Sequence, residues 1–128
     1  MAGSSGALHE SESVLKPETI DRHRAVVSIM EELEAVDWYD QRIDAATDGE
    51  LKELLAHNRD EEKEHAAMML EWLRRHDAKL DEHLRTYLFT NKRLLEIEEE
   101  AEGQDENRHG GDESSSGDGS LGIGSLRT

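Results

Sequence analysis

The stretch DGELKELLAHNRDEEKEHAAMMLEWLRR, residues 48–75, decides the fold of this chain. It contains no proline and, after Gly49, no glycine, so we expect one uninterrupted helix. Thr47, three residues before Glu50, predicts a capping box at its start. The apolar side chains recur at helical spacing and share one face, which comprises Leu51, Leu54, Leu55, Met69, Trp72 and Leu73.

A carboxylate and an imidazole interrupt this apolar face. In a projection at ~100° per residue, Glu62 and His65 lie within ~40° of the centre of the face. Ionisable side chains on a buried face are unfavourable unless something compensates them. A separation of three residues places both on adjacent turns, where they can converge on one ion. The pattern predicts a metal site.

The preceding segment predicts a second helix that carries another candidate ligand. It begins with Pro17 in its first turn and runs to about Ala46. Glu32 lies at the edge of its apolar face, between Tyr39 and Ile43 in projection, where a phenol hydroxyl can hold the carboxylate in place for a metal. That face comprises Val26, Ile29, Met30, Leu33, Val36 and Ile43.

The other side of this helix presents an acidic and aromatic surface, formed by Glu31, Glu34 and Trp38 together with Ile20 and Val27. A helix with apolar residues on two sides is expected to contact more than one neighbour.

The remaining segments differ in composition. Residues 1–15 are small and polar and predict a flexible lead before a domain over residues 16–101, which ends with a short helix near His76–Phe89 and a frayed segment near Leu94–Ala101. Residues 102–119 predict a disordered linker. Residues 120–128 bring back regularly spaced apolar side chains, Leu121, Ile123 and Leu126, and predict a tethered peptide.

Composition excludes several classes of protein. The chain has 128 residues, 34% of them apolar and 36% charged, with a formal net charge of −16 that repels nucleic acid. The absence of cysteine excludes a disulfide scaffold and a zinc–thiolate site. No secretory signal and no membrane-spanning apolar run is present, so we expect a cytoplasmic protein.

Two helices of this kind supply half of a known metal site. A helical hairpin this small leaves its outer faces exposed, which predicts oligomerisation. Four-helix di-iron proteins use one Glu from each of two helices and one Glu-x-x-His from each of the other two. Glu32 is one such single Glu, and Glu62 with His65 is one Glu-x-x-His. A two-fold dimer would supply two of each, which is the complete ligand set. A carboxylate-rich site of this type suits Fe(II).

Alternative interpretations stay open on these residues alone. Glu-x-x-His occurs by chance on charged helices, and His65 could be a satisfied core histidine. Glu62 could pair with Arg59 or with an arginine across an interface. The same half-bundle could serve another di-metal enzyme, manganese-dependent or peroxidase-like. It could also be a non-enzymatic adaptor that oligomerises and recruits a partner through its tail.

Three stretches closely resemble the encapsulated ferritins: EELEAVDWYDQR (31–42), LLAHNRDEEKEHAAMMLEWLRR (54–75) and HLRTYLF (83–89). The resemblance covers roughly residues 15–90 and includes the spacing between Glu32 and Glu62. It implies an all-α, two-helix subunit that dimerises into a ferritin-like four-helix bundle and assembles into a ring, typically a decamer. The implied activity is ferroxidation of Fe(II) to Fe(III) by dioxygen at a di-iron centre, with storage of the mineral inside an encapsulin shell.

The resemblance also implies roles for individual residues. Glu32, Glu62 and His65 would be the ferroxidase ligands. Tyr39 would lie next to these ligands without binding the metal itself. Glu31 and Glu34 would form the site where iron enters, which could also take calcium or another divalent ion, and Trp38 would restrict access. The family carries a C-terminal encapsulation peptide, and GSLGIGSLR looks like one that would insert alternate apolar side chains into pockets of the shell protein.

Overall fold

The computed structural model describes residues 6–110, with side chains described to residue 105. A short 3₁₀ helix, Glu12–Val14, lies within the predicted lead. Four α-helices follow: α1 (Pro17–Ala45), α2 (Gly49–Arg75), α3 (Ala78–Tyr87) and α4 (Leu94–Gly110). No strand occurs in the described part of the chain, which confirms the all-α prediction.

Helices α1 and α2 form a hairpin and account for one compact unit of the chain. Contacts between Glu32 and His65 and between Asp40 and Arg59 show that the two helices run antiparallel. Among the residues of this unit that the structure describes, only Ala25, Ala66 and Leu73 are buried. Small alanines let the backbones approach closely, but they bury little apolar area. The hairpin therefore has a thin core of its own.

Large apolar side chains of the hairpin remain in solvent. On α1 these are Val26, Met30, Leu33 and Trp38, and on α2 they are Leu51, Leu54 and Met68. Large exposed apolar side chains of this kind are typical of surfaces that bind another chain. This exposure fits the expectation that two helices of this size need a partner.

The start of α2 corrects one sequence-based expectation. Asp48, and not Thr47, is the N-cap, because its carboxylate accepts a hydrogen bond of 2.9 Å from the backbone N–H of Leu51. The capping box from Thr47 to Glu50 does not form. The extended backbone of Asp48 aims its short carboxylate at the free N–H groups of the first turn.

The second compact unit contains α3 and α4, which pack against each other around the buried Ile97. Helix α3 is shorter than the predicted His76–Phe89 because Asp77 caps its start by accepting from the N–H of Leu80, and Leu88 ends it in an extended conformation. Phe89 follows with a positive φ of 61° and is fully exposed.

Helix α4 continues past the predicted end at Ala101 to Gly110. The added residues include Glu102 and Gln104 and contain no proline, so nothing in them forbids helical backbone. The rest of the predicted linker and the predicted peptide lie outside the described residues. No helix in the described part is long and apolar enough to cross a membrane.

The N-cap of α2 makes a prediction about stability. We expect Asp48→Ala to lower the free energy of unfolding by about 1 kcal/mol, because it removes the acceptor for one N–H at the helix start. Thr47→Ala is the matched control and should change it by less than about 0.5 kcal/mol. Urea unfolding at fixed protein concentration measures both. Equal losses in the two variants would show that Asp48 is not the cap.

Candidate metal centre

Three potential metal ligands converge across the hairpin. Glu32 projects from α1, and Glu62 and His65 project from successive turns of α2. His65 Nδ1 lies 3.2 Å from Glu62 Oε1 and 3.7 Å from Glu32 Oε2. One donor atom from each side chain lies within 4.8 Å of the other two. Two carboxylates and an imidazole at this spacing can close around one divalent cation.

The helix geometry explains why these three side chains meet. A spacing of three residues turns Glu62 and His65 to the same side of α2. Antiparallel packing then brings the middle of α1, where Glu32 lies, opposite them. Two turns after Glu32 on α1, Asp40 Oδ1 accepts a hydrogen bond of 3.0 Å from Nη1 of Arg59 on α2. This bond links the two helices. This contact helps to hold the alignment on which the cluster depends.

The surroundings of Glu32 disfavour its charge. Partial burial raises the pKa of the Glu32 carboxyl, and a hydrogen bond and the negative charge of Glu62 raise it further. His65 acts in the opposite direction but does not reverse the effect. A divalent cation bound between the two carboxylates would offset their mutual repulsion.

The cluster is open on one side of the hairpin. The side chains of Glu32 and Glu62 are 23% and 25% exposed, and that of His65 is 43% exposed. Glu62 and His65 were predicted to lie on a buried face, and within one chain that face is only half covered. Three protein donors leave further coordination positions of a cation free for oxygen ligands or for a second chain.

The other predicted site residues lie away from these donors. Glu31, Glu34 and Trp38 are exposed on α1. Tyr39 is half-buried, and its expected hydrogen bond with Glu32 is not formed in the described chain. The tyrosine ring instead lies 5.5 Å from the guanidinium carbon of Arg42, which also covers the indole of Trp38 at 5.8 Å. A guanidinium over two aromatic rings is a cation–π contact that the face projection did not reveal.

The alternative pairing of Glu62 with Arg59 is not observed. Arg59 instead donates to Asp40 and to Asp60, at 3.0 Å and 3.1 Å. Both acids engage the guanidinium of Arg59. Glu62 therefore keeps His65 and Glu32 as its neighbours.

A cavity beside the cluster was missed by the sequence analysis. It has a volume of about 310 Å³ and is lined by Asp21, Arg24, Ala25, Ser28, Met69 and Trp72. The indole of Trp72 stacks on the His76 ring with centroids 3.8 Å apart, which fixes one wall. Spacing alone places Trp72 and Met69 on the face of α2 but does not show that the space between them is empty.

Comparison with known proteins places this arrangement in a family. The family model described as EncFtn-like matches residues 7–91, a span that contains α1, α2, α3 and all three donors of the cluster. The chain belongs to the EncFtn-like family. The resemblance to encapsulated ferritins drawn from the three sequence stretches is thereby confirmed.

Individual relatives agree with this assignment to the EncFtn-like family. An encapsulated ferritin-like protein of Rhodospirillum rubrum is 65% identical over 131 aligned positions, covering 99% of this chain and 92% of the relative. A ferritin-like protein of Thermotoga maritima is 55% identical, covering 80% of this chain and 90% of the relative. The crystal structure of protein ne0167 from Nitrosomonas europaea is 59% identical, with a TM-score of 0.67, covering 69% of this chain and 97% of the other.

The raised pKa of Glu32 predicts how the metal-free EncFtn-like chain responds to pH. Ionisation of Glu32 lowers the free energy of unfolding, because the folded pKa is higher than the unfolded pKa. This loss is absent below the unfolded pKa of about 4.3, where the carboxyl is protonated in both states, and it develops as pH rises through the folded pKa. We expect Glu32→Gln to stabilise the metal-free protein at pH 7, with the difference vanishing as the pH falls towards 4.

Thermal unfolding of chelator-treated protein across this pH range measures the effect. Glu64→Gln, an exposed substitution on α2, gives the background effect of removing one surface charge. A Glu32→Gln variant less stable than the wild type at pH 7 would show that the carboxylate stabilises the fold, contrary to the argument.

Proposed function

We propose that this protein is a ferroxidase that oxidises Fe(II) to Fe(III) with dioxygen at a di-iron centre shared between two copies of the chain. The observation that carries the proposal is the convergence of Glu32, Glu62 and His65 within 4.8 Å. One Glu and one Glu-x-x-His are half of the set that four-helix di-iron proteins use. Membership of the EncFtn-like family supports the same inventory.

The second half of the centre would come from an identical chain. Each cluster is open on one side, and large apolar side chains of the same hairpin are exposed. A two-fold axis through the open side brings two clusters together and covers that apolar surface. Each chain then contributes Glu32, Glu62 and His65, and the dimer becomes a ferritin-like four-helix bundle.

The chemistry follows from the charge of the donors. Four carboxylates and two imidazoles per dimer bind two Fe(II) ions and stabilise them more strongly after each loses an electron, because anionic oxygen ligands favour the higher charge. Dioxygen is the oxidant: it accepts one electron from each of the two Fe(II) ions and, with two protons from solvent, leaves as hydrogen peroxide.

Other residues of α1 would bring iron to the centre. Glu31 and Glu34 are exposed and acidic and would attract Fe(II), with calcium or another divalent ion as a competitor. Trp38, 48% exposed, would restrict access, and the guanidinium of Arg42 over the rings of Trp38 and Tyr39 would hold both aromatic side chains in place.

The setting would be an encapsulin compartment. The Rhodospirillum rubrum relative is named as an encapsulated ferritin-like protein. We propose that dimers of this chain join into a ring, with a decamer as the expected size, and that the ring releases Fe(III) for storage as mineral within the shell. The C-terminal peptide at residues 120–128, through Leu121, Ile123 and Leu126, would bind the shell protein. Residues 102–119, of which 102–110 continue α4, would connect it to the domain.

Iron oxidation tests the centre directly. Fe(II) is added without oxygen and air is then admitted, with ferric absorbance and native mass recorded. We expect the Glu32→Ala/Glu62→Ala double variant and His65→Ala to oxidise iron at least about tenfold more slowly, since even supporting residues of metal sites contribute that much. Wild-type protein should shift towards an even-numbered oligomer when iron binds.

Exposed acids on the same helix provide the control. Glu61→Ala/Glu64→Ala removes two negative charges from α2 but none of the three donors, so it should oxidise iron at close to the wild-type rate. Oxidation at one rate in all variants would leave the cluster without a catalytic role. Faster turnover with Mn(II), measured in the same assay, would move the protein to manganese chemistry on the same donors.

The tail gives a separate prediction. A triple substitution, Leu121→Asp, Ile123→Asp and Leu126→Asp, should abolish co-purification with a co-expressed encapsulin shell, because charged side chains do not enter apolar pockets. Iron oxidation by the free protein should be unchanged. Ser120→Ala/Ser125→Ala is the matched control and should still be packaged. Packaging of the triple variant would show that the apolar side chains do not bind the shell.

A further inference from the structure

Trp38 and Tyr39 are neighbours in sequence, but they lie on two different faces of α1. At ~100° per residue, Trp38 leaves the helix within about 20° of Glu31, which is seven residues earlier. Tyr39 leaves it within about 20° of Glu32, because the spacing is the same. One ring therefore belongs to the face of the exposed acids, and the other belongs to the face of a donor of the metal centre.

The side chain of Arg42 connects these two faces. Arg42 follows Trp38 by four residues and Tyr39 by three, so it lies one turn further along α1 and between the two rings in projection. Its guanidinium carbon is 5.8 Å from the centroid of the Trp38 ring and 5.5 Å from that of the Tyr39 ring. A guanidinium within about 6 Å of a ring centroid is attracted to the face of the ring. One cation thus contacts two rings that belong to different faces.

Two acids close to Arg42 in sequence have other partners. Asp40 accepts a hydrogen bond of 3.0 Å from Nη1 of Arg59 on α2, and Asp37 accepts one of 3.2 Å from Nε2 of Gln41. Among residues 6–105, Arg42 forms no ion pair with a carboxylate. The two aromatic rings are therefore the partners that hold its guanidinium in this part of the chain.

The charge of Arg42 lies too far from the exposed acids to act on them strongly. Glu34 precedes Arg42 by eight residues, which is about 12 Å of helix. The Debye length at physiological ionic strength is about 8 Å, so most of the repulsion between this guanidinium and a cation at Glu34 is screened. Arg42 is therefore expected to act through the rings that it contacts and not through its charge.

We infer that Arg42 is a positioning residue that controls how easily Fe(II) passes from the exposed acids of α1 to the metal centre. It does so by holding Trp38 and Tyr39 together where the two faces meet. The inference rests on the proposed function, in which Trp38 restricts access. It adds that the restriction is adjustable, that a single guanidinium sets it, and that it is linked to the face of Glu32 through Tyr39.

Loss of the guanidinium should change the supply of iron but not the chemistry. A released indole can leave the conformer in which it covers the path, so the centre should fill at a lower concentration of Fe(II). Arg42 follows Glu32 by ten residues, about 15 Å along the helix, so its removal should leave the donors in place. We therefore expect a lower KM for Fe(II) at an unchanged kcat.

Quenching of tryptophan fluorescence tests whether Arg42 holds the ring. The chain contains two tryptophans, so the variant Trp72→Phe leaves Trp38 as its single indole. In this background, Arg42→Met should raise the acrylamide quenching constant of the metal-free protein towards that of a free indole. Acrylamide is neutral, so the lost charge does not alter its approach. Arg42→Lys keeps the charge but lacks the flat group that stacks on rings, and should resemble Arg42→Met more than the background.

Iron oxidation by the full chain tests the consequence for access. Arg42→Met in the otherwise wild-type protein should lower the KM for Fe(II) about two- to fivefold, the factor that a cation–π contact at an exposed site is worth. The kcat should stay unchanged. Arg24→Met is the matched control, because it removes the same charge from α1 but takes it from an ion pair with Asp21. Its KM should equal that of the wild type.

Three results would overturn the role of Arg42. Unchanged quenching in both Arg42 variants would show that the guanidinium does not hold Trp38. Wild-type behaviour of Arg42→Lys beside a changed Arg42→Met would assign the effect to charge. Raised quenching with an unchanged KM would show that the held rings do not limit the supply of Fe(II).

Failure of this role and failure of the ferroxidase remain distinguishable, because quenching is measured without iron. If the donor variants lose iron oxidation while quenching does not respond to Arg42, the metal centre stands and the role of Arg42 fails. If quenching rises but the wild-type protein does not oxidise iron, the contact of Arg42 with the rings stands, and both the ferroxidase and the control of iron supply fail.

Discussion

The contact between α1 and α2 is the constraint on which the rest of the molecule depends. Of the hairpin residues, only Ala25, Ala66 and Leu73 are fully buried, so the contact aligns the helices without burying much apolar surface. The same alignment brings two carboxylates and an imidazole together on the uncovered side. In the proposed centre, a cation would neutralise the carboxylates and a second chain would cover exposed apolar side chains on that side. Metal binding and assembly are therefore expected to be thermodynamically coupled, so that each favours the other.

Much of this arrangement could be predicted from the sequence because it depends on helical period. The lengths of α1 and α2 follow from Pro17, from the break near Thr47 and from the absence of other breakers between them. The position of Glu62 and His65 on one face follows from a spacing of three residues. The convergence of Glu32 with them required only that neighbouring helices pack antiparallel across a short connection.

The features that were not predicted depend on structural details that helical periodicity does not determine. Choosing Asp48 over Thr47 as the cap depends on the backbone angles of a single residue. The partner of Arg59 was missed because several acids lie within reach of a long side chain, and only the alignment of the two helices selects Asp40. The cavity beside Trp72 is a property of the space between helices, which no single face reveals.

The thin core of the hairpin has a consequence for the life of the protein in a cell. With only Ala25, Ala66 and Leu73 buried, an unassembled chain is held closed by few contacts and opens locally at little cost. Proteases cleave chains in such open states. Under the proposed pairing, newly made copies without a partner would be exposed to degradation, whereas paired copies would be protected. The sparse core would then make turnover selective for unpaired chains.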